Sequence, residues 1–245
     1  MCNIVVLQSS LLIIKKFVLA KLIIFAAVTA LFGVIFLFPA NLPKAVAVEL
    51  VGQSLVLENF ETYANGVFPD KWRMAKSDAR KIYKIETESG NRFLRARAEK
   101  QGIQIGLEHR FEPKQQQHLS WRWRAREFPT GADERLSDKH DTVAQVYVIF
   151  DNQILPRIIK YMWSGVVPEG SRFVHPLYSR ARVVIVRTGM SDLNKWFEEK
   201  VNFYDDYKKF FDIEPGRVQG IALMSSSDST RSVAAADYDD FVLLP

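Results

Sequence analysis

His118-Leu-Ser-Trp-Arg-Trp-Arg-Ala-Arg126 alternates from Trp121 onward. Successive side chains of an extended strand point to opposite sides. Trp121, Trp123 and Ala125 therefore share one face, and Arg122, Arg124 and Arg126 share the other. The spacing predicts a strand over residues 118–125. A large aromatic contributes most when buried, so at least one of the two tryptophans is expected in a core. The competing reading makes them a stacking platform for sugar rings. The arginine stripe either meets acids on neighbouring strands or binds a carboxylated or sulfated polymer.

The rest of the chain follows the same rhythm. Short apolar or alternating runs broken by Gly, Pro, Asp and Asn read as strands over residues 55–60, 81–87, 92–98, 103–109, 142–150, 158–163, 182–187, 195–201, 217–225 and 235–243. One helix is expected over 203–211, where Phe203, Tyr207, Phe210 and Phe211 recur at helical spacing and Pro215-Gly216 follow. Many short strands with almost no helix imply an all-β fold, an antiparallel β-sandwich or jelly roll. The run 142–150 is apolar on both faces except for Gln145, which makes it a central strand.

The N-terminus has another character. Lys15, Lys16 and Lys21 precede an uncharged apolar run at 22–38, and Ala45-Val46-Ala47 follows. A basic region, an apolar region and a small-x-small ending make a secretory leader. The run is longer than the ~7–15 apolar residues of a usual leader and shorter than the ~20 of a spanning helix. Residues 1–47 are thus a signal peptide or an N-terminal membrane anchor, and 48–245 form a single exported, periplasmic domain that meets the membrane only through that segment.

Charge and cysteine content narrow the function. The first 47 residues hold four lysines and no acid, leaving 29 basic against 28 acidic side chains. Nucleic-acid binding needs a surplus of Lys and Arg, so that partner is not expected. The only cysteine, Cys2, lies in the leader, which excludes a disulfide, thiol catalysis and Cys-ligated metal in the domain. There is no Gly-x-Ser-x-Gly, no His-Glu-x-x-His and no glycine-rich phosphate loop. The four histidines are scattered without metal-ligand spacing.

Position along the expected strands singles out a site. Asp141 opens one probable central strand, Arg187 closes another, and Asp228 lies just past the end of a third. With His140, Trp163 and Thr230 they are expected to gather at one sheet end with the polar loop 127–141. A buried arginine must find a carboxylate, and Asp141 or Asp228 is the expected partner of Arg187. The polar run Ser225–Thr230 and Asp237-Tyr-Asp-Asp240 reads as a hydrophilic turn and an acidic strand face, or as oxygen ligands for a hard cation.

The ordered set Trp121-Arg-Trp-Arg124, Asp141-Thr-Val-Ala-Gln-Val-Tyr-Val148, Tyr161-Met-Trp163, Val184-Ile-Val-Arg-Thr-Gly189, Trp196-Phe-Glu198, Gly220-Ile-Ala-Leu-Met224, Asp228-Ser-Thr230 and Tyr238-Asp-Asp-Phe241 resembles a bacterial exported family, domain of unknown function 3047, over residues 55–243. More remotely, Leu57-Glu-Asn-Phe-Glu61 and Tyr238-Asp-Asp-Phe241 resemble the first and last strands of galactose-binding-like sandwiches, among them carbohydrate-binding modules. That resemblance implies a structural calcium held by Glu58 or Glu61 with Asp239 or Asp240, and no other cofactor. The function expected is non-catalytic binding of a glycan or other cell-envelope polymer. The alternatives are a carbohydrate-active enzyme using two of Asp141, Glu198 and Asp228, and an envelope scaffold.

Overall fold

The computed structural model describes residues 53–151 and 155–245. The leader or anchor expected over 1–47, with its apolar run 22–38, lies outside the described residues. Among the described residues no helix is long and apolar enough to cross a membrane.

In chain order the elements are β1 Leu55–Glu58, β2 Arg73–Met74, α1 Ala79–Ile82, β3 Tyr83–Glu88, β4 Asn91–Glu99, β5 Ile105–Phe111, β6 His118–Glu127 and β7 Ala144–Phe150. Then come β8 Arg157–Ser164, β9 Arg172–Val174, β10 Ala181–Thr188, β11 Phe197–Asn202, α2 Phe203–Phe211, β12 Val218–Met224 and β13 Val233–Leu244. Every expected strand is present. The short elements β2, β9 and α1 are additions that no periodicity announces.

Two sheets face each other. The six-stranded sheet runs β11-β6-β13-β4-β3, with β1 beside the far end of β13, and the seven-stranded sheet runs β2-β5-β12-β7-β8-β10-β9. All pairs are antiparallel except β8 with β10. That pair corrects the wholly antiparallel expectation. A parallel pair needs a connection that returns the chain to its starting edge. Here the return is β9, which runs back along the outside before β10 inserts between it and β8.

The opening motif lies inside the sandwich. Trp121 and Trp123 on β6 are fully buried, their ring centroids 5.3 Å apart. Across the gap, Trp121 packs on Tyr161 at 5.9 Å and Trp123 on Trp163 at 5.8 Å. Neither tryptophan offers a free face, so the stacking-platform reading is wrong. On β13, Tyr238 and Phe241 both join the core although three residues apart, because a bulge at Asp239–Asp240 adds a residue against β6. Asp240 takes φ 49° there.

Helix α2 closes one end of the sandwich. Asn202 caps it by accepting from the Asp205 amide at 2.8 Å, and Asp212 ends it in the left-handed region at φ 55°. Its Tyr207 packs on Phe150, at the C-terminal end of β7, at 4.6 Å. The N-terminal end of β7 lies at the opposite end of the sheet.

Candidate functional site at the start of the central strand

At that opposite end the chain enters β7 through Asp141-Thr142-Val143, while β12 leaves through Ser225-Ser226-Ser227. The two segments are stitched together. The Ser226 amide donates to the Thr142 carbonyl at 3.0 Å, and the Thr142 amide donates to Ser226 Oγ at 3.2 Å. Loop 127–141 is fastened by Glu134, a buried side chain whose carboxylate accepts from Ser164 Oγ at 2.6 Å.

Asp141 is fully buried. Its Oδ2 accepts from the amide and the hydroxyl of Thr230 at 2.7 and 2.8 Å, while Oδ1 has no partner. Asp228 lies near enough to Asp141 to feel its charge. Burial raises the Asp228 carboxyl above its ordinary value, the charge of Asp141 raises it further, and His140 opposes them. Asp228 lies against Gly102, where a Cβ would stand 2.5 Å from Asp228 Oδ1, so a larger residue there would have to displace the carboxylate.

From Asp228 a ring of polar side chains continues over the outer face of the seven-stranded sheet. Nδ1 of His140 lies 3.0 Å from Ser229 Oγ, and its ring meets that of His175 at 5.9 Å. The buried His175 is held neutral, first by burial and then by the charge of Lys160. Its Nδ1 accepts from the Leu177 amide at 3.2 Å, which leaves the ring proton on Nε2. Lys160, on β8, sets its Nζ 4.6 Å from the Tyr147 ring centroid, and burial pushes its ammonium down to about 7. Tyr147 lies opposite Lys160 on β7, its phenol raised first by burial, then by Tyr83 and Tyr238, and last by Asp228. Gln145, one step along the same face, donates to Ser226 Oγ at 3.5 Å.

Three fully enclosed polar atoms here have no hydrogen-bond partner: Asp141 Oδ1, Gln145 Oε1 and the Tyr147 hydroxyl. Buried polar groups are nearly always satisfied, so three exceptions approaching or along one strand set this place apart.

Of the six residues expected to converge, His140, Asp141, Asp228 and Thr230 do so. Trp163 and Arg187 do not. Trp163 is buried in the core and donates its indole N–H to the Gly189 carbonyl at 3.1 Å. Arg187 pairs with Glu199 on β11 at 2.7 Å, not with Asp141 or Asp228, and its guanidinium lies 3.8 Å from the Phe197 ring centroid. A register shift between Ile185 and Arg187 turns the arginine inward, which alternation along β10 could not reveal. Conversely, Gln145, Tyr147, Lys160 and His175 join the site unannounced. Two carried a signal: Gln145 is the polar exception in an apolar strand, and Lys160 is a charge inside Ile158-Ile-Lys-Tyr-Met-Trp163.

Residues 70–242 match the family described as Protein of unknown function (DUF3047). The chain belongs to that family. No curated protein matches it in sequence. Among solved structures it is similar to a thermostable cellulase derived from Cel12A of Rhodothermus marinus, at 16% identity over 66% of this chain and 85% of that one, with a TM-score of 0.37. The carbohydrate recognition domain of Emp47p gives 11% identity over 78% and 93%, TM-score 0.37. The family 11 xylanase of Neocallimastix patriciarum gives 9% over 79% and 100%, TM-score 0.35. Similarity at that level fixes neither topology nor ligand.

The remaining expected residues of this DUF3047 member are engaged elsewhere. The stripe on β6 is neutralised: Arg124 and Arg126 meet the fully buried Asp237 at 2.7 and 2.8 Å, Arg95 joins them, and Arg122 pairs with Asp240 at 3.1 Å. That corrects the polyanion-binding reading of the stripe. Glu58 accepts from the Phe60 amide, the Tyr63 hydroxyl and the Trp72 indole. Glu61 accepts from the Arg92 amide at 2.9 Å and Asp239 from Asn91 at 2.9 Å. Among the described residues no group of three or more His, Cys, Asp or Glu side chains could hold a metal ion. Glu198 is exposed on β11, where its carboxylate accepts from Ser120 Oγ at 3.2 Å, on the other sheet from Asp141 and Asp228.

Proposed function

We propose that this domain is an exported, periplasmic binding module that takes a polyhydroxylated ligand, a glycan or other cell-envelope polymer, at the start of β7. The observation that carries the reading is the set of three buried, unpartnered polar atoms, Asp141 Oδ1, Gln145 Oε1 and Tyr147 OH. Hydroxyl-rich ligands satisfy such atoms because each hydroxyl both donates and accepts. Binding is favoured over hydrolysis because Asp141 is fully buried and bonded to Thr230, while Glu198 stands on the other sheet. The galactose-binding-like assignment belongs to the same proposal and is supported by the pairing of β1 with β13.

The test is a glycan array probed with the purified protein and with Asp228→Asn. Retention of the parent on a restricted set of glycans, weakened in the variant at an unchanged melting temperature, is the expected result. A parent that binds no glycan, or a variant that loses its fold, would remove the reading.

A further inference from the structure

The polar ring divides by hydrogen-bonding sense. On one side stand donors: the Lys160 ammonium, the Tyr147 hydroxyl and the Nε2–H of His175. On the other stand acceptors: Asp141 Oδ1, Gln145 Oε1 and the carboxyl of Asp228. Among the described residues Lys160 makes no ion pair and no side-chain hydrogen bond, and its sole polar neighbour in contact is the face of Tyr147. Its strand neighbours include Val183 opposite on β10 and Met162 on the same face, both buried. The contrast with the arginines is sharp: Arg124 and Arg126 both lie against the carboxylate of Asp237.

We infer that the ligand is acidic, a sugar carrying a carboxylate of the uronic-acid kind, and that Lys160 supplies its counter-ion. The inference rests on the binding function proposed above. It also fixes an orientation. The ligand carboxylate lies over β8 and accepts from Lys160, Tyr147 and His175, while its hydroxyls point toward the start of β7 and donate to Gln145 and Asp141. A half-buried ammonium without an acid is unfavourable on its own, and a ligand anion relieves that cost.

The experiment is calorimetric titration of the full-length protein with matched pairs of oligosaccharides: oligogalacturonate against oligogalactose, oligoglucuronate against oligoglucose, and oligomannuronate against oligomannose. In at least one pair the acidic member should bind on the order of tenfold more tightly, the scale of one hydrogen bond to a charged group. Lys160→Met should abolish that preference, weakening the acidic member by a larger factor than the neutral one. Should Lys160→Met fail to fold, Tyr147→Phe serves instead, because it removes only a hydroxyl and should weaken the acidic oligomer by a larger factor than the neutral one. Equal binding within every pair, or a preference that survives in Lys160→Met, overturns the acidic assignment and leaves the glycan-binding function standing. Binding of none of the six overturns both.

Discussion

The outer faces of the two sheets are both crowded with polar side chains, and they solve the same problem in opposite ways. On the six-stranded sheet, Asp237 is fully buried and surrounded by Arg95, Arg124 and Arg126, with Glu88 taking a second nitrogen of Arg124 at 2.6 Å. Arg124 also lies 4.6 Å from the Trp196 ring centroid and 5.1 Å from that of Phe93. Asp237 and its three arginines are paired within the protein. On the seven-stranded sheet, the buried Gln145 and Tyr147 have polar atoms left over, and the half-buried Lys160 makes no ion pair among the described residues. A saturated network holds strands together, whereas an unsaturated one keeps its capacity for something outside the chain.

The strongest way to break this comparison is Asp237→Ala. Removing one partner of a buried charge network typically costs ~3–5 kcal/mol, a large share of the ~5–15 kcal/mol that holds a domain together. Urea denaturation should show that loss. A variant as stable as the parent would mean that the arginine stripe does not hold the sheet.

The seven-stranded face should answer with a different sign. Tyr147→Phe removes a buried polar atom that has no partner, so stability should hold or rise by ~1 kcal/mol, and Gln145→Leu removes one such atom together with the 3.5 Å bond to Ser226, so stability should hold. Ligand affinity should fall on the order of tenfold in the same variants. If both variants melt early instead, these side chains belong to the scaffold and the contrast between the faces disappears.

Proton linkage sharpens the comparison further. The Lys160 ammonium titrates near 7 in the folded chain and at its ordinary 10.5 in the unfolded one. Between those values the unfolded state binds more protons, so this residue makes stability rise with pH across that window. Melting temperatures from pH 7 to 10 should show the rise in the parent and its loss in Lys160→Met. Asp239, on the other face, gives a smaller effect of the reverse slope. Burial raises its carboxyl from 3.8 to about 6, with the Asn91 hydrogen bond opposing. Between pH 3.8 and 6 the folded state binds more protons, so the contribution of Asp239 falls as pH rises through that range. Asp239→Asn should remove that decline, and an unchanged profile would place the titration elsewhere.

How much of this was legible depended on what one strand can reveal about itself. The alternation of β6 and the helical spacing of α2 were sufficient because each pattern is complete within its own segment. Asp141 and Asp228 could be placed because both flank long apolar runs, so their proximity followed from strand ends. The face of Lys160 was not legible, since Ile158 and Met162 beside it are as apolar as the residues that point into the core. Only pairing with β7 and β10 decides which set is inward. Arg187 was misplaced by one bulge, which inverts every later side chain on its strand.

The seven-stranded sheet ends in strands of two residues, β2, and three residues, β9. A long bare edge is a template on which another chain can add a strand, and very short charged edge strands deny it the length to do so. Arg73 on β2 and Arg172 on β9 put a charge at each border. The broad hydrogen-bonded interior from β5 to β10 is thus shielded at both margins by segments too brief to seed a ribbon. A protein so bordered can reach high local concentration without its sheets growing into one another.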